Sequence, residues 1–151
     1  MGNIFHAIFV SSGLHLVEKR TFIYSLWGWA MKMLHPIAIN RGKPKEAIVQ
    51  TLEEGSERLK KGLYVLLFPE GTRVKAGRVG KYARSGFELA KRNNVKILPL
   101  CHNSGDCWPA HKFIKKTGTI NLYIGEPFFV EDSKKSAEEV QQWVERKLNK
   151  S

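Results

Sequence analysis

The chain holds 151 residues, of which 42% are hydrophobic and 26% charged. That is ordinary usage for a globular domain and excludes disordered, collagen-like and low-complexity architectures. Lys and Arg number 25 against 14 Asp and Glu, a net charge of +11 carried by both halves of the chain. A folded body this positive attracts polyanions: nucleic acid, an anionic membrane surface or phosphorylated ligands.

The amino-terminal residues lack the form of a signal peptide. A short strand is predicted over Leu14–Val17. Phe22–Leu34 reads as a helix that stops before Pro36, because proline disfavours helix in the residue ahead of it. This region, Thr21–Ile39, is the nearest approach to a membrane span, but Lys32 and His35 interrupt it. Trp27, Trp29 and Tyr24 suit a water–lipid boundary, so the stretch either lies on a bilayer or forms a buried core helix. Pro36–Asn40 is a short predicted strand.

Lys45–Lys61 spaces Ala47, Ile48, Leu52 and Leu59 among charged residues, the pattern of an amphipathic helix, and Gly62 ends it. Leu63–Phe68 is a continuous apolar run followed by Pro69 and Gly71, which suits a strand covered on both faces. Gly86–Asn93 is helical and closes at Asn93-Asn94; Val95–Leu100 is a second buried strand. Thr119–Ile124 alternates as a half-covered strand before Gly125. Ala137–Leu148 is a closing helix, with Ser136 as its cap and Glu138 and Glu139 in its first turn. Strands alternating with helices predict an α/β fold, a single domain with flanking helices on a central, mostly parallel sheet. Ligands of such sheets meet the loops at the carboxyl ends of the strands.

Leu67–Arg73 stands at such an end. Gly71 permits a sharp turn or a close backbone approach, Arg73 offers a planar fork of donors that suits a phosphate, and Glu70 can accept from a hydroxyl or hold the arginine. A basic stretch follows: Arg73, Lys75, Arg78, Lys81, Arg84, Lys91 and Arg92 against Glu88 alone. With Gly77, Gly80 and Gly86 it reads either as a phosphate-binding lip or as a solvated charged loop.

Phe68-Pro69-Glu70-Gly71-Thr72-Arg73 resembles the third signature block of the glycerolipid acyltransferases, the family of 1-acylglycerol-3-phosphate acyltransferase. Further matches follow in order. Pro36–Arg41 resembles the second block, Ile97-Leu98-Pro99-Leu100 the fourth, and Cys101–Gly105, Phe113–Ile120 and Ile124–Pro127 resemble later stretches. The resemblance implies a glycerophosphate-acyltransferase-like fold. It implies transfer of a fatty acyl group from acyl-CoA or acyl-carrier protein to lysophosphatidic acid, giving phosphatidic acid. The thioester is a co-substrate, and no cofactor or metal is implied. By position, Arg41 and Arg73 bind the acceptor phosphate, Phe68, Pro69, Glu70, Gly71 and Thr72 shape the acceptor site, and Pro99 is structural. The charge and the aromatic Phe22–Leu34 stretch fit an anionic membrane surface, with the protein membrane-associated at the cytoplasmic face.

The family's chemistry lies in a first block, His-x-x-x-x-Asp. An alcohol is a poor nucleophile at neutral pH, so a histidine takes its proton, and the carboxylate fixes the imidazole tautomer. Here the fifth residue after His6, His15, His35, His102 and His111 is Ser11, Arg20, Asn40, Cys107 and Lys116. Aligned on Gly28 and Arg41, the block falls just upstream of Met1, so the chain reads as an acyltransferase domain incomplete at its amino terminus. No catalytic residue is assigned, and Lys19 takes no role. An inactive relative that only binds lysophospholipid or anionic membrane is the alternative. His6 and His15 read as terminal residues and His102 as a loop-orienting one. Cys101, His102, Cys107 and His111 have zinc-type side chains at unsuitable spacing, since adjacent residues on a strand point to opposite sides. Two cysteines are too few for a disulfide framework. No helix-turn-helix, zinc-finger or Arg-Gly-Gly pattern supports nucleic-acid binding.

Overall fold

The computed structural model describes residues 7–10, 37, 42–71, 74–109 and 113–149. Its elements in chain order are β1 (Ala7–Val10), α1 (Pro44–Lys60), β2 (Val65–Leu67), α2 (Ser85–Asn93), β3 (Lys96–His102), the single turn α3 (Ser104–Cys107), β4 (Leu122–Ile124), β5 (Phe128–Phe129) and α4 (Ser133–Leu148). The segments expected at Leu14–Val17, Phe22–Leu34 and Pro36–Asn40 lie outside the described residues, apart from the buried Ile37.

The sheet runs β2-β1-β3-β4, with β5 also on β3. β1 lies parallel to both β2 and β3, with Val10 level with Leu67 and with Pro99. β4 and β5 run antiparallel to β3. The sheet is therefore mixed, not mostly parallel as the alternation of elements predicts. A parallel neighbour needs a crossover, and the α/β pattern supplies one up to β3. Beyond β3 no long helix is found among the described residues, only the single turn α3 and a loop, and the chain returns antiparallel along the same edge. β4 and β5 are two pieces of that edge. Ile124 opposes Leu100 and Phe128 opposes Ile97, so one extra residue bulges out between them, at Gly125–Pro127. The Gly125 N–H donates to the Pro99 carbonyl at 2.9 Å just before the break.

The central strand β1 was not expected. Ala7-Ile8-Phe9-Val10 is a four-residue apolar run, which periodicity alone cannot separate from a frayed terminus. Pairing on both sides makes it a strand.

The helix ends follow their sequence signals. α1 begins with Pro44 in its first turn, where the missing N–H costs nothing. It closes with Gly62 at φ 80°, as the Leu63 N–H donates to the Arg58 carbonyl and the Gly62 N–H to that of Leu59. α2 closes the same way around Asn94 at φ 49°, with Val95 N–H on Ala90 and Asn94 N–H on Lys91. α4 starts earlier than expected. Its cap is Asp132, whose Oδ1 accepts from the N–H groups of Lys134 and Lys135 at 2.8 and 2.7 Å, and Ser136 is buried inside the first turn. A carboxylate at that end meets free N–H groups and the positive pole of the helix, which outweighs a hydroxyl one turn later.

In-register neighbours share a face of a sheet. Val65 with Ile97 and Leu67 with Pro99 point to the helices, and Cys101 with Tyr123 continue that face. Phe87, Leu89, Ala90, Val140 and Val144 of α2 and α4 close the core over it, while α1 packs on α2. Leu66, Leu122 and Ile124, on the opposite face, are exposed.

Candidate active site

The parallel strands end together at Val10, Leu67 and Pro99, and β3 runs on to His102. Strand order reverses around β1, since β2 lies to one side of it and β3 to the other. Ligands bind outside such a switch point.

Phe68–Gly71 forms a tight turn directly beyond β2. The Gly71 N–H donates to the Phe68 carbonyl at 3.0 Å, and Pro69 supplies the fixed φ that the second turn position favours. Gly71 has φ 63°, a left-handed conformation that other side chains resist, and beyond its chain neighbours no atom of the described residues lies within 4 Å of where a Cβ would stand. The glycine is thus required by its backbone and not by crowding. Pro69 is buried, Phe68 and Glu70 are half-buried, and Gly71 is exposed.

Glu70 is the organising side chain. Its Oε1 accepts the Gly80 N–H at 3.0 Å, and the Pro69 carbonyl accepts the Ala83 N–H at 2.8 Å. These two bonds fold the basic loop back onto the turn. Burial pushes the Glu70 carboxyl above its ordinary range, with the Gly80 N–H opposing. The loop turns at Lys75–Arg78, where Gly77 has φ 74° and the Arg78 N–H donates to the Lys75 carbonyl. Lys75, Arg78, Lys81 and Arg84 are exposed around it. Lys91 and Arg92 are separate from this lip. They sit in the last turn of α2, where cations suit the helix dipole, and Arg92 pairs with Glu88 at 2.9 Å.

Of the residues singled out from the sequence, Phe68, Pro69, Glu70 and Gly71 come together in this turn. Arg41, Thr72 and Arg73 lie outside the described residues. Two residues stand behind Glu70: Tyr82, which sequence reasoning missed, and Cys101, which it weighed only as a metal ligand and as part of a family-like stretch. Tyr82 is buried, and its hydroxyl has no hydrogen-bond partner among the described residues. Burial, then the charge of Glu70, raises its pKa. Cys101 is fully buried, and its thiol is pushed up to about 11, first by burial and then by Glu70. It is therefore an inert thiol at neutral pH. Tyr82 carried no signal, since a lone Tyr in a basic loop is common, and nothing in the spacing of Cys101 tied it to Glu70.

His102 is half-buried, and burial lowers its pKa. Its Nδ1 lies 2.8 Å from the Ser104 hydroxyl and 3.4 Å from the Ser104 N–H. A backbone N–H can only donate, so Nδ1 accepts and the neutral ring fixes the start of α3. This agrees with a loop-orienting residue. Among the described residues no group of three His, Cys, Asp or Glu side chains is placed to hold a metal ion.

Residues 3–103 match the acyltransferase family. The chain is 44% identical over 119 residues to 1-acyl-sn-glycerol-3-phosphate acyltransferase of Pseudomonas aeruginosa, covering 78% of this chain and 46% of that protein. It is 38% identical over 108 residues to the chloroplastic 1-acyl-sn-glycerol-3-phosphate acyltransferase LPAT1 of Arabidopsis thaliana, covering 70% of this chain and 30% of the relative. The chain thus spans less than half the length of these relatives. The crystal structure of the 1-acyl-sn-glycerophosphate acyltransferase PlsC from Thermotoga maritima superposes with a TM-score of 0.79 at 20% identity, over 97% of this chain and 66% of that one. At that identity the likeness speaks for the fold.

Proposed function

Because the chain belongs to the glycerolipid acyltransferase family, we propose that it serves transfer of a fatty acyl group from acyl-CoA or acyl-carrier protein to lysophosphatidic acid, giving phosphatidic acid. The observation that carries this reading is the Phe68–Gly71 turn, which holds a half-buried carboxylate beside a basic loop at the carboxyl end of the sheet. In this reading Glu70 orients the acceptor, and Gly71 leaves room for it. Arg73 and Arg41 take the phosphate, Thr72 helps shape the acceptor site, and Lys75, Arg78 and Lys81 attract the phosphate. The acceptor hydroxyl attacks the thioester carbon, the carbon–sulfur bond breaks, and the hydroxyl proton leaves with the thiol. That proton needs a base. None of the five histidines carries an acid five residues on, which favours a second reading in which this chain binds the acceptor or an anionic membrane without transferring the acyl group. Both readings treat the chain as one domain working at a membrane surface, at its cytoplasmic face. No helix among the described residues is long and apolar enough to cross a membrane.

The test measures lysophosphatidic acid affinity by calorimetry and phosphatidic acid formation from acyl-CoA by mass spectrometry, on the purified 151-residue protein. Arg73→Ala removes a charge-assisted, bidentate contact of about 1.5–3 kcal/mol, and affinity falls roughly ten- to a hundredfold. Product well above the blank sinks the binding-only reading. Absence of acceptor binding sinks the transfer reading, and absence of binding to both the acceptor and anionic vesicles sinks both.

A further inference from the structure

We propose that the two stretches Trp108–Pro109 and Phe113–Lys116 form a docking edge for an anionic lipid surface. The inference rests on the reading that the acceptor is a membrane lipid.

Phe113 is 98% exposed and Ile114 77%, two consecutive large apolar side chains both open to solvent. Single exposed hydrophobes are common on any protein, but an adjacent pair at this exposure is not. Trp108 is also exposed, and the Lys115 Nζ sits 4.4 Å from the centroid of its ring. Lys115 and Lys116 are exposed directly after the apolar pair. Apolar tips flanked by lysines, with a Trp beside them, are the composition that enters the headgroup boundary of a bilayer. Charge selects an anionic bilayer: no Asp or Glu occurs between Asp106 and Glu126. Ile114 has no ring to stack on a base, which favours lipid over nucleic acid.

The edge is anchored at its base. The Lys116 N–H donates to the Cys107 carbonyl at 2.7 Å. Asn103 clamps the returning strand, its Oδ1 accepting from the Asn121 N–H at 2.8 Å and its Nδ2 donating to the Thr119 carbonyl at 3.4 Å. Asn103 lies just beyond β3, at the same end of the sheet as the Phe68–Gly71 turn. A Cβ at Gly105 would stand 3.4 Å from the Ala76 Cβ, so the segment after β3 touches the basic loop. Insertion of Phe113 and Ile114 therefore brings the end of the sheet that carries Glu70 toward the bilayer.

The experiment measures partition of the full chain onto vesicles of phosphatidylcholine with phosphatidylglycerol, free of lysophosphatidic acid. Phe113→Ser with Ile114→Ser lowers partition roughly tenfold or more. Lys115→Gln with Lys116→Gln lowers it about fivefold per lysine, and the lysine contribution fades in high salt. All four side chains are exposed, so both variants keep the wild-type circular dichroism and unfolding midpoint. Both also keep wild-type affinity for a short-chain, monomeric lysophosphatidic acid, which separates docking from acceptor recognition. Wild-type vesicle binding that is lost in the variants supports the docking edge even if no acceptor binds. Partition unchanged in both variants overturns it, whatever the acceptor affinity. Self-association by sedimentation velocity that disappears in Phe113→Ser/Ile114→Ser, with vesicle binding intact, also overturns it and makes the edge an interface between copies.

Discussion

Gly86→Ala tests whether the end of β2 is held in place by packing. Gly86 is buried at the second position of α2, under the side chain of Leu67. An added Cβ would stand 2.6 Å from Leu67 Cδ1, with Leu67 Cβ and Cγ at 3.8 Å. Carbon atoms rest about 3.5–4.0 Å apart, so roughly 1 Å must be yielded. Leu67 is only 6% exposed and has little room to swing. Overpacking of this kind costs about 1–3 kcal/mol. The gain from replacing glycine in a helix is about 1 kcal/mol at most, and less near a helix start. The net loss is about 1 kcal/mol, a melting temperature lower by about 2–4 °C for a chain of this size. Leu67 immediately precedes the Phe68–Gly71 turn, so its displacement also moves Glu70, and acceptor affinity falls as well. Urea unfolding followed by circular dichroism, at unchanged denaturant slope, gives the stability, and calorimetry gives the affinity. A Gly86→Ala protein about 1 kcal/mol more stable than wild type, the full helix gain, would refute the reasoning. Leu67 would then move aside freely.

Glu70 holds its proton more tightly folded than unfolded, so ionising it costs stability as pH rises from the ordinary value of 4.5 through the raised folded one. Wild type loses that increment in this window. Glu70→Gln, which keeps an acceptor for the Gly80 N–H, does not lose it and binds acceptor less well. Identical pH slopes in urea unfolding count against the assignment. Tyr82→Phe removes a buried hydroxyl that has no partner among the described residues, so stability holds or rises by about 1 kcal/mol. A fall of more than about 1 kcal/mol in thermal or urea unfolding would show that the hydroxyl has found a partner.

Much of the fold was legible where a local signal decides it. Gly62 and Asn94 end helices because their left-handed backbones release two N–H groups onto the preceding carbonyls. The apolar runs Leu63–Phe68 and Val95–Leu100 announced strands at Val65–Leu67 and Lys96–His102 by composition, but each strand fully buries one face and not the two that such runs predict. What was not legible depends on pairing between distant residues. Ala7–Val10 is a strand only because β2 and β3 flank it, and the antiparallel sense of β4 and β5 is set by how the chain returns. At the site, Glu70 and Gly71 stood out by position after a strand. The Gly80 N–H that meets Glu70, and the buried Tyr82 and Cys101 behind it, come from across the loop and the sheet, and no spacing in the sequence encodes them.

The bulge at Gly125–Pro127 bears on how this protein behaves when crowded. A long flat sheet margin is a template onto which another chain adds a strand, and growth of that kind ends in aggregates. Here the margin is cut into pieces of three and two residues. Pro127, in the gap, has no N–H to offer an incoming strand. Deleting one residue of the gap restores a continuous margin, and such a variant should precipitate at concentrations that wild type tolerates.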